Sequence, residues 1–127
     1  MCGKNIKITM PTAHLKIYRN GALIGDEPIT EKQILDAIEQ YDREYPLNDY
    51  PRTDEVPKAK TWFENQNYDY ALRYRGKCYP VKYILRVAIS PSDPDEVAGF
   101  YGGWESGKAN HVLEALGFDV IPKSECN

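Results

Sequence analysis

Residues 70–89 read YALRYRGKCYPVKYILRVAI, and residues 100–120 read FYGGWESGKANHVLEALGFDV. From Tyr68 to Arg75 the first stretch has the period of a strand, with Tyr68, Tyr70, Leu72 and Tyr74 on one face and Asp69, Ala71, Arg73 and Arg75 on the other. Gly76-Lys77 reads as a turn and Cys78-Tyr79 as the start of a return strand. Pro80 suits the first turn of a helix, where its missing N–H costs nothing. Val81, Ile84, Leu85 and Ala88 then recur at the spacing of a buried helical stripe, and Lys82 and Arg86, four apart, share the outer face. In the second stretch a Gly102-Gly103 turn precedes a helix that begins near Gly107 or Lys108, with Ser106 as a candidate N-cap. Its apolar stripe is Ala109, Val112, Leu113 and Leu116. Gly117 fits a left-handed C′ position, Phe118 packs back on the helix, and Asp119 to Ile121 forms a short terminal strand. Strand, turn, strand and helices in this order predict one compact α+β domain, a small antiparallel sheet packed by three or four helices, with the 68–79 hairpin at its centre.

The rest of the chain fits around that unit. Its 127 residues and 42% hydrophobic content suit a single domain with a modest core. Residues 1–13 read as a flexible tail, 14–121 as the domain and 122–127 as a second tail. His14 to Ile24 is a short hairpin turning at Asn20-Gly21. Thr30 and Gln33 form a capping box for a helix whose buried face carries Ile34, Ile38, Tyr41 and Tyr45, with Ile29 and Ile34 as its staple and Pro46 as its stop. Pro46, Pro51 and Pro57 keep the following connection irregular. A short helix is expected over Lys58 to Gln66, burying Trp62 or Phe63, and residues 90–97 read as a loop.

Charge is segregated along the chain. The overall formal charge is −3, yet residues 58–86 hold seven bases against two acids, and residues 26–57 hold ten acids against three bases. Such blocks imply a basic face opposite acidic ones, unless folding mixes them. The ten tyrosines suit core edges and stacking surfaces equally. No apolar run approaches the ~18 residues of a membrane span, and no signal peptide is evident. Cys2, Cys78 and Cys126 are too few and too scattered for a disulfide framework, which favours a reduced, cytoplasmic setting.

The pattern Y-x-L-x-Y-x-G-K-x-Y-P-x-K-x-I, followed by F-x-G-G and L-x-x-L-G-F-x-V, resembles the N-terminal head domain of McrA-type HNH restriction endonucleases, enzymes that cut modified DNA. Gly76, Tyr79, Lys82, Phe100, Gly102, Gly103, Leu113, Leu116, Gly117, Phe118 and Val120 carry the likeness, which spans about residues 30–121 and is strongest over 68–120. The likeness implies an α+β DNA-binding head. The HNH nuclease and sulfur-recognition domains of that family have no counterpart here: His14 and His111 match no HNH motif. The resemblance therefore implies DNA binding without cleavage, with cutting left to a separate nuclease subunit or domain.

The residues themselves point the same way. Arg73, Arg75, Lys77, Lys82 and Arg86 come from adjoining strand, turn and helix, and phosphate contacts need cations on one surface. The helix N-terminus near Pro80 adds backbone N–H groups. Tyr79, Tyr101 and Trp104 interleave with the charges as stacking candidates, and Gly102-Gly103 permits close backbone approach. Against this, the hairpin tyrosines can be core, Lys82 can be paired with an acid, and the Gly-Gly turn can simply cap the core. A Cys78/His111 pair is a poor catalytic dyad, because a mid-hairpin Cys suits a small buried hydrophobe. No zinc spacing, phosphate loop or paired catalytic carboxylates occur, so no catalytic residue, metal or cofactor is expected. The expected function is non-catalytic binding of modified or distorted DNA. The alternative is a protein-interaction adaptor that uses the acidic helix and loops. Exposed aromatics beside Arg73, Arg75 and Lys82 favour the first; exposed aromatics beside the acidic helix favour the second.

Overall fold

A computed structural model describes residues 12–51, 61–65 and 68–126. Among these, three α-helices pack with two antiparallel sheets in one α+β domain. The first sheet is the hairpin β1 (Thr12–Arg19) and β2 (Ala22–Thr30). Asn20 and Gly21 both take positive φ, 53° and 80°, the turn that suits the twist of a two-residue hairpin loop. The hairpin is longer than the sequence suggested. Its first strand starts at Thr12, inside the stretch expected to be tail, and Ala13, Leu15 and Ile17 alternate into the core.

β2 runs straight into α1 (Glu31–Glu44), where Thr30 and Gln33 complete the expected capping box. The Thr30 Oγ1 accepts from the Gln33 N–H at 3.2 Å, and Gln33 Oε1 accepts from the Thr30 N–H at 2.9 Å. Ile29 and Ile34 are both fully buried, and Ile34, Ala37, Ile38 and Tyr41 face the core; Tyr45 ends the helix half-buried. The acidic outer face is laced by the exposed pairs Lys32–Asp36 and Arg43–Glu39.

The second sheet has the order β4-β3-β5, with β3 (Tyr70–Tyr74) between β4 (Lys77–Pro80) and β5 (Asp119–Pro122), so the first strand of the hairpin is central. The turn is Arg75-Gly76, both with positive φ, and Lys77 already pairs with Tyr74. α2 (Val81–Ile89) follows at once, with Pro80 at the N-cap. The helix buries more than its predicted stripe: Tyr83 and Val87 join Val81, Ile84, Leu85 and Ala88. α3 (Ala109–Ala115) buries Ala109, Val112 and Leu113, and Leu116 at its C-cap is buried too. It closes as the sequence suggested: Gly117 N–H donates to Glu114 O and Phe118 N–H to Leu113 O, the paired bonds of a Schellman motif. Its N-cap is Lys108 rather than Ser106, because the preceding loop folds back onto the first turn.

Two expectations fail. Residues 61–65 form a turn and not a helix, and the remainder of the expected 58–66 helix lies outside the described residues. Trp62 is fully buried in that turn while Phe63 is 46% exposed. The cysteines are not independent either. A single 3-10 turn after β5 (Lys123–Glu125) brings Cys126 to Cys78, and the two form a disulfide with Cα atoms 6.2 Å apart. A pairing across 48 residues leaves no local signature, and it removes cysteine scatter as an argument for a reducing compartment. Among the described residues no helix is long and apolar enough to cross a membrane.

Tyrosines fill the space between α1, α2 and the sheet. Tyr41 contacts Tyr45, Tyr79 and Tyr83, and Tyr50 stacks on Tyr83 with ring centroids 3.8 Å apart. Burial raises the phenol pKa of Tyr41, Tyr50, Tyr68, Tyr79 and Tyr83, that of Tyr50 to about 12. An unfolded tyrosine releases its proton near pH ~10, so between that pH and the raised values the folded chain holds more protons. The stabilisation is complete below pH ~10 and is lost as pH rises through the folded values. Urea titrations should therefore show a steep fall in stability above pH ~10, in step with the appearance of phenolate absorbance. Phenolates titrating freely while the fold persists would contradict this packing.

Candidate nucleic-acid interface

The Gly-Gly turn is held from two sides. The unpaired edge of β1 grips its loop, Lys16 N–H donating to Gly107 O at 2.9 Å and Tyr18 N–H to Gly99 O at 2.7 Å. The first turn of α3 grips it from the other side: Ala109 N–H donates to Tyr101 O, and the N–H groups of Asn110 and His111 donate to Gly103 O. The α3 amides are thus used to hold the turn. Gly103 has φ 132°, and a Cβ there would come within 3.2 Å of Lys108 Cδ; a Cβ on Gly102 would sit 3.4 Å from Lys82 Cε. Two glycines let two lysine stems lie along the backbone, one on each residue of the turn.

The result is a cleft of about 430 Å³ between the start of β3, the start of α2 and the turn before α3. Lys82, Tyr101, Gly102 and Gly103 line it together with Tyr68, Tyr70, Lys108, Asn110 and Asp69. Lys82 and Arg86 make no ion pair among the described residues, whereas Lys108 reaches Glu105 at 3.1 Å. Arg86 lies close to Tyr68 and Tyr50, whose phenols its charge draws down against the upward push of burial. Pro80 provides no side-chain cap to α2, so the first turn above Lys82 has none. Tyr101 is 49% exposed and packs on Tyr18; Trp104 is 42% exposed, stands outside the cleft lining, and meets Tyr70 edge-on at 5.4 Å.

The basic residues expected to share one surface are divided. Arg73 donates from Nε and Nη2 to Asp119, at 3.2 and 2.7 Å. Lys77 is paired with Asp42 at 2.8 Å and lies over the Tyr79 ring. Tyr79 is only 3% exposed and its hydroxyl donates to the same carboxylate, so it has no face to offer a base. Arg75, at the hairpin turn, lies over Tyr74. Arg75, Lys77 and Tyr79 border a second groove of about 450 Å³ against Leu35, Ile38, Glu39 and Asp42 of α1. Folding therefore mixes part of the basic block with acids, and leaves Lys82 and Arg86 as its unpaired cations on α2. Lys58 and Lys60 of that block lie outside the described residues.

Lys108, Asn110 and Tyr68 are cleft residues that the sequence did not single out. Asn110 carried a signal: it sits next to Ala109 and three residues before Leu113, on the buried side of the stripe. Both histidines are exposed, and no cluster of metal ligands occurs among the described residues. No protein-family model matches the chain, and no curated protein or solved structure matches it.

Proposed function

We propose that this domain is a non-catalytic DNA-binding module for modified or distorted DNA that works through the Lys82 face rather than through the hairpin cations. The observation that carries the reading is the Gly-Gly turn set between Lys82 and Lys108, with an exposed aromatic on either side of it. Unpaired cations supply phosphate contacts, and exposed rings supply stacking that tolerates any base. The likeness of residues 68–120 to McrA-type head domains points to the same role, with a nuclease subunit or domain elsewhere supplying any cleavage. Among the described residues the exposed aromatics are Phe63, Tyr101 and Trp104. Their ring partners are Trp62, Tyr18 and Tyr70, none of them on α1, while Asp36 and Glu39 of α1 pair along the helix, and this disfavours the adaptor reading.

The test compares two double variants on the same duplex. Lys82→Ala/Arg86→Ala should weaken binding and reduce the slope of log affinity against log salt by about 1–2, near 0.9 for each phosphate that is no longer neutralised. Arg73→Ala/Lys77→Ala should change the slope little, since Asp119 and Asp42 already neutralise those cations. A larger fall in affinity for the second variant than for the first would return the interface to the hairpin and overturn the assignment.

A further inference from the structure

The cleft lining is mixed in a way that a bare phosphate site does not need. It holds Asp69, Tyr68, Tyr70, Tyr101 and Asn110 alongside the two lysines. Asn110 is 3% exposed, the one buried polar or charged residue among those described. Its backbone N–H is bound to Gly103 O. The residue borders a cleft whose volume is within the ~300–1,000 Å³ of ligand sites.

Resting on the nucleic-acid reading above, we propose that this cleft receives a single nucleotide displaced from its stack, with the Asn110 amide hydrogen-bonding the edge of the base. An amide presents one donor beside one acceptor, the pattern with which Asn meets a base edge in two bonds. Tyr70 and Tyr101 provide the apolar walls, Asp69 accepts from an exocyclic amino group, and Lys82 holds the flanking phosphate at the mouth. Trp104, outside the cleft and against Tyr70, is placed for the neighbouring base. Asp69 would repel a bare anion, and it suits a base whose own phosphate stays outside.

The test measures affinity for a duplex with one bulged nucleotide against the same duplex fully paired, with the wild type, Asn110→Leu and Tyr101→Ala, and with a free nucleoside monophosphate alone. Asn110→Leu keeps the side-chain size, and Tyr101→Ala alters a half-exposed ring, so Tyr101→Ala still decides if the first variant fails to fold. The wild type should bind the bulged duplex about tenfold or more tighter, because a base already unpaired spares the unstacking energy. Both folded variants should lose that preference, and Asn110→Leu should do so while keeping its affinity for paired DNA. Equal wild-type affinity for the two duplexes overturns the inference but leaves DNA binding intact. Preference retained in the variants overturns it as well. A free monophosphate that binds as tightly as the bulged duplex also overturns it, making the ligand a mononucleotide and not a strand. Binding to no oligonucleotide removes this inference together with the function it rests on.

Discussion

Replacing Asn48 by alanine is expected to lower the unfolding free energy by about 3 kcal/mol, from the loss of three part-buried hydrogen bonds. Asn48 Oδ1 accepts from the Tyr41 hydroxyl at 2.7 Å and from Trp62 Nε1 at 3.0 Å, and its Nδ2 donates to Cys78 O at 2.8 Å. One side chain thereby ties α1, the 61–65 turn and β4 together. Tyr41 and Trp62 are both fully buried, so their donors lose an acceptor where water does not readily replace it. Asn48 also has φ 59°, a conformation that Asn tolerates better than alanine does. Asn48→Gly separates the two effects, since it relaxes the backbone while removing the same three bonds. It should recover only part of the loss, about 1 kcal/mol. Urea titrations of both variants supply the measurement. A loss below about 1 kcal/mol for Asn48→Ala would mean that these bonds are not the tie they look to be.

Trp104→Ala should have the opposite profile, with a large effect on binding and a small one on folding. The ring is 42% exposed, and its contact among the aromatics is with the edge of Tyr70. A fully buried tryptophan would cost roughly 3–5 kcal/mol on truncation, but this one leaves much of its surface in water already. If it stacks on a base, its removal costs about 1–3 kcal/mol of binding, or about ten- to hundredfold in affinity. A thermal melt beside a binding titration separates the cases. A large fall in melting temperature with unchanged affinity would make the ring a packing element of the turn.

Local chemistry made much of this fold legible. Thr30 with Gln33, Asn20 with Gly21, and Leu116-Gly117-Phe118 each specify backbone bonds within a few residues, and each forms as its residue types require. The apolar stripes of α2 and α3 were readable for the same reason. Pairings between distant positions were not. Arg73 meets Asp119 and Lys77 meets Asp42 only because the sheet and α1 bring them together, and nothing in the spacing of the basic block announces those acids. Cys78 and Cys126 are the same case. Half of the candidate site was legible: Lys82 and the Gly-Gly turn do share one concave surface. Asn110 had only the weak signal of its place beside the apolar stripe, which reads as a helix flank until the cleft it borders is known. Tyr79 misled because a tyrosine in a basic hairpin looks the same in sequence whether its ring faces water or core.

DNA binding at the Lys82 face is tested most directly by a fluorescence anisotropy titration of a labelled duplex across a salt series, wild type beside Lys82→Glu. The wild type should bind with an affinity that falls linearly in log salt, and the charge reversal should weaken binding at every salt concentration and flatten the slope by about 1. Absence of wild-type binding at low salt, or a Lys82→Glu curve that overlays the wild type, would contradict DNA binding at this face.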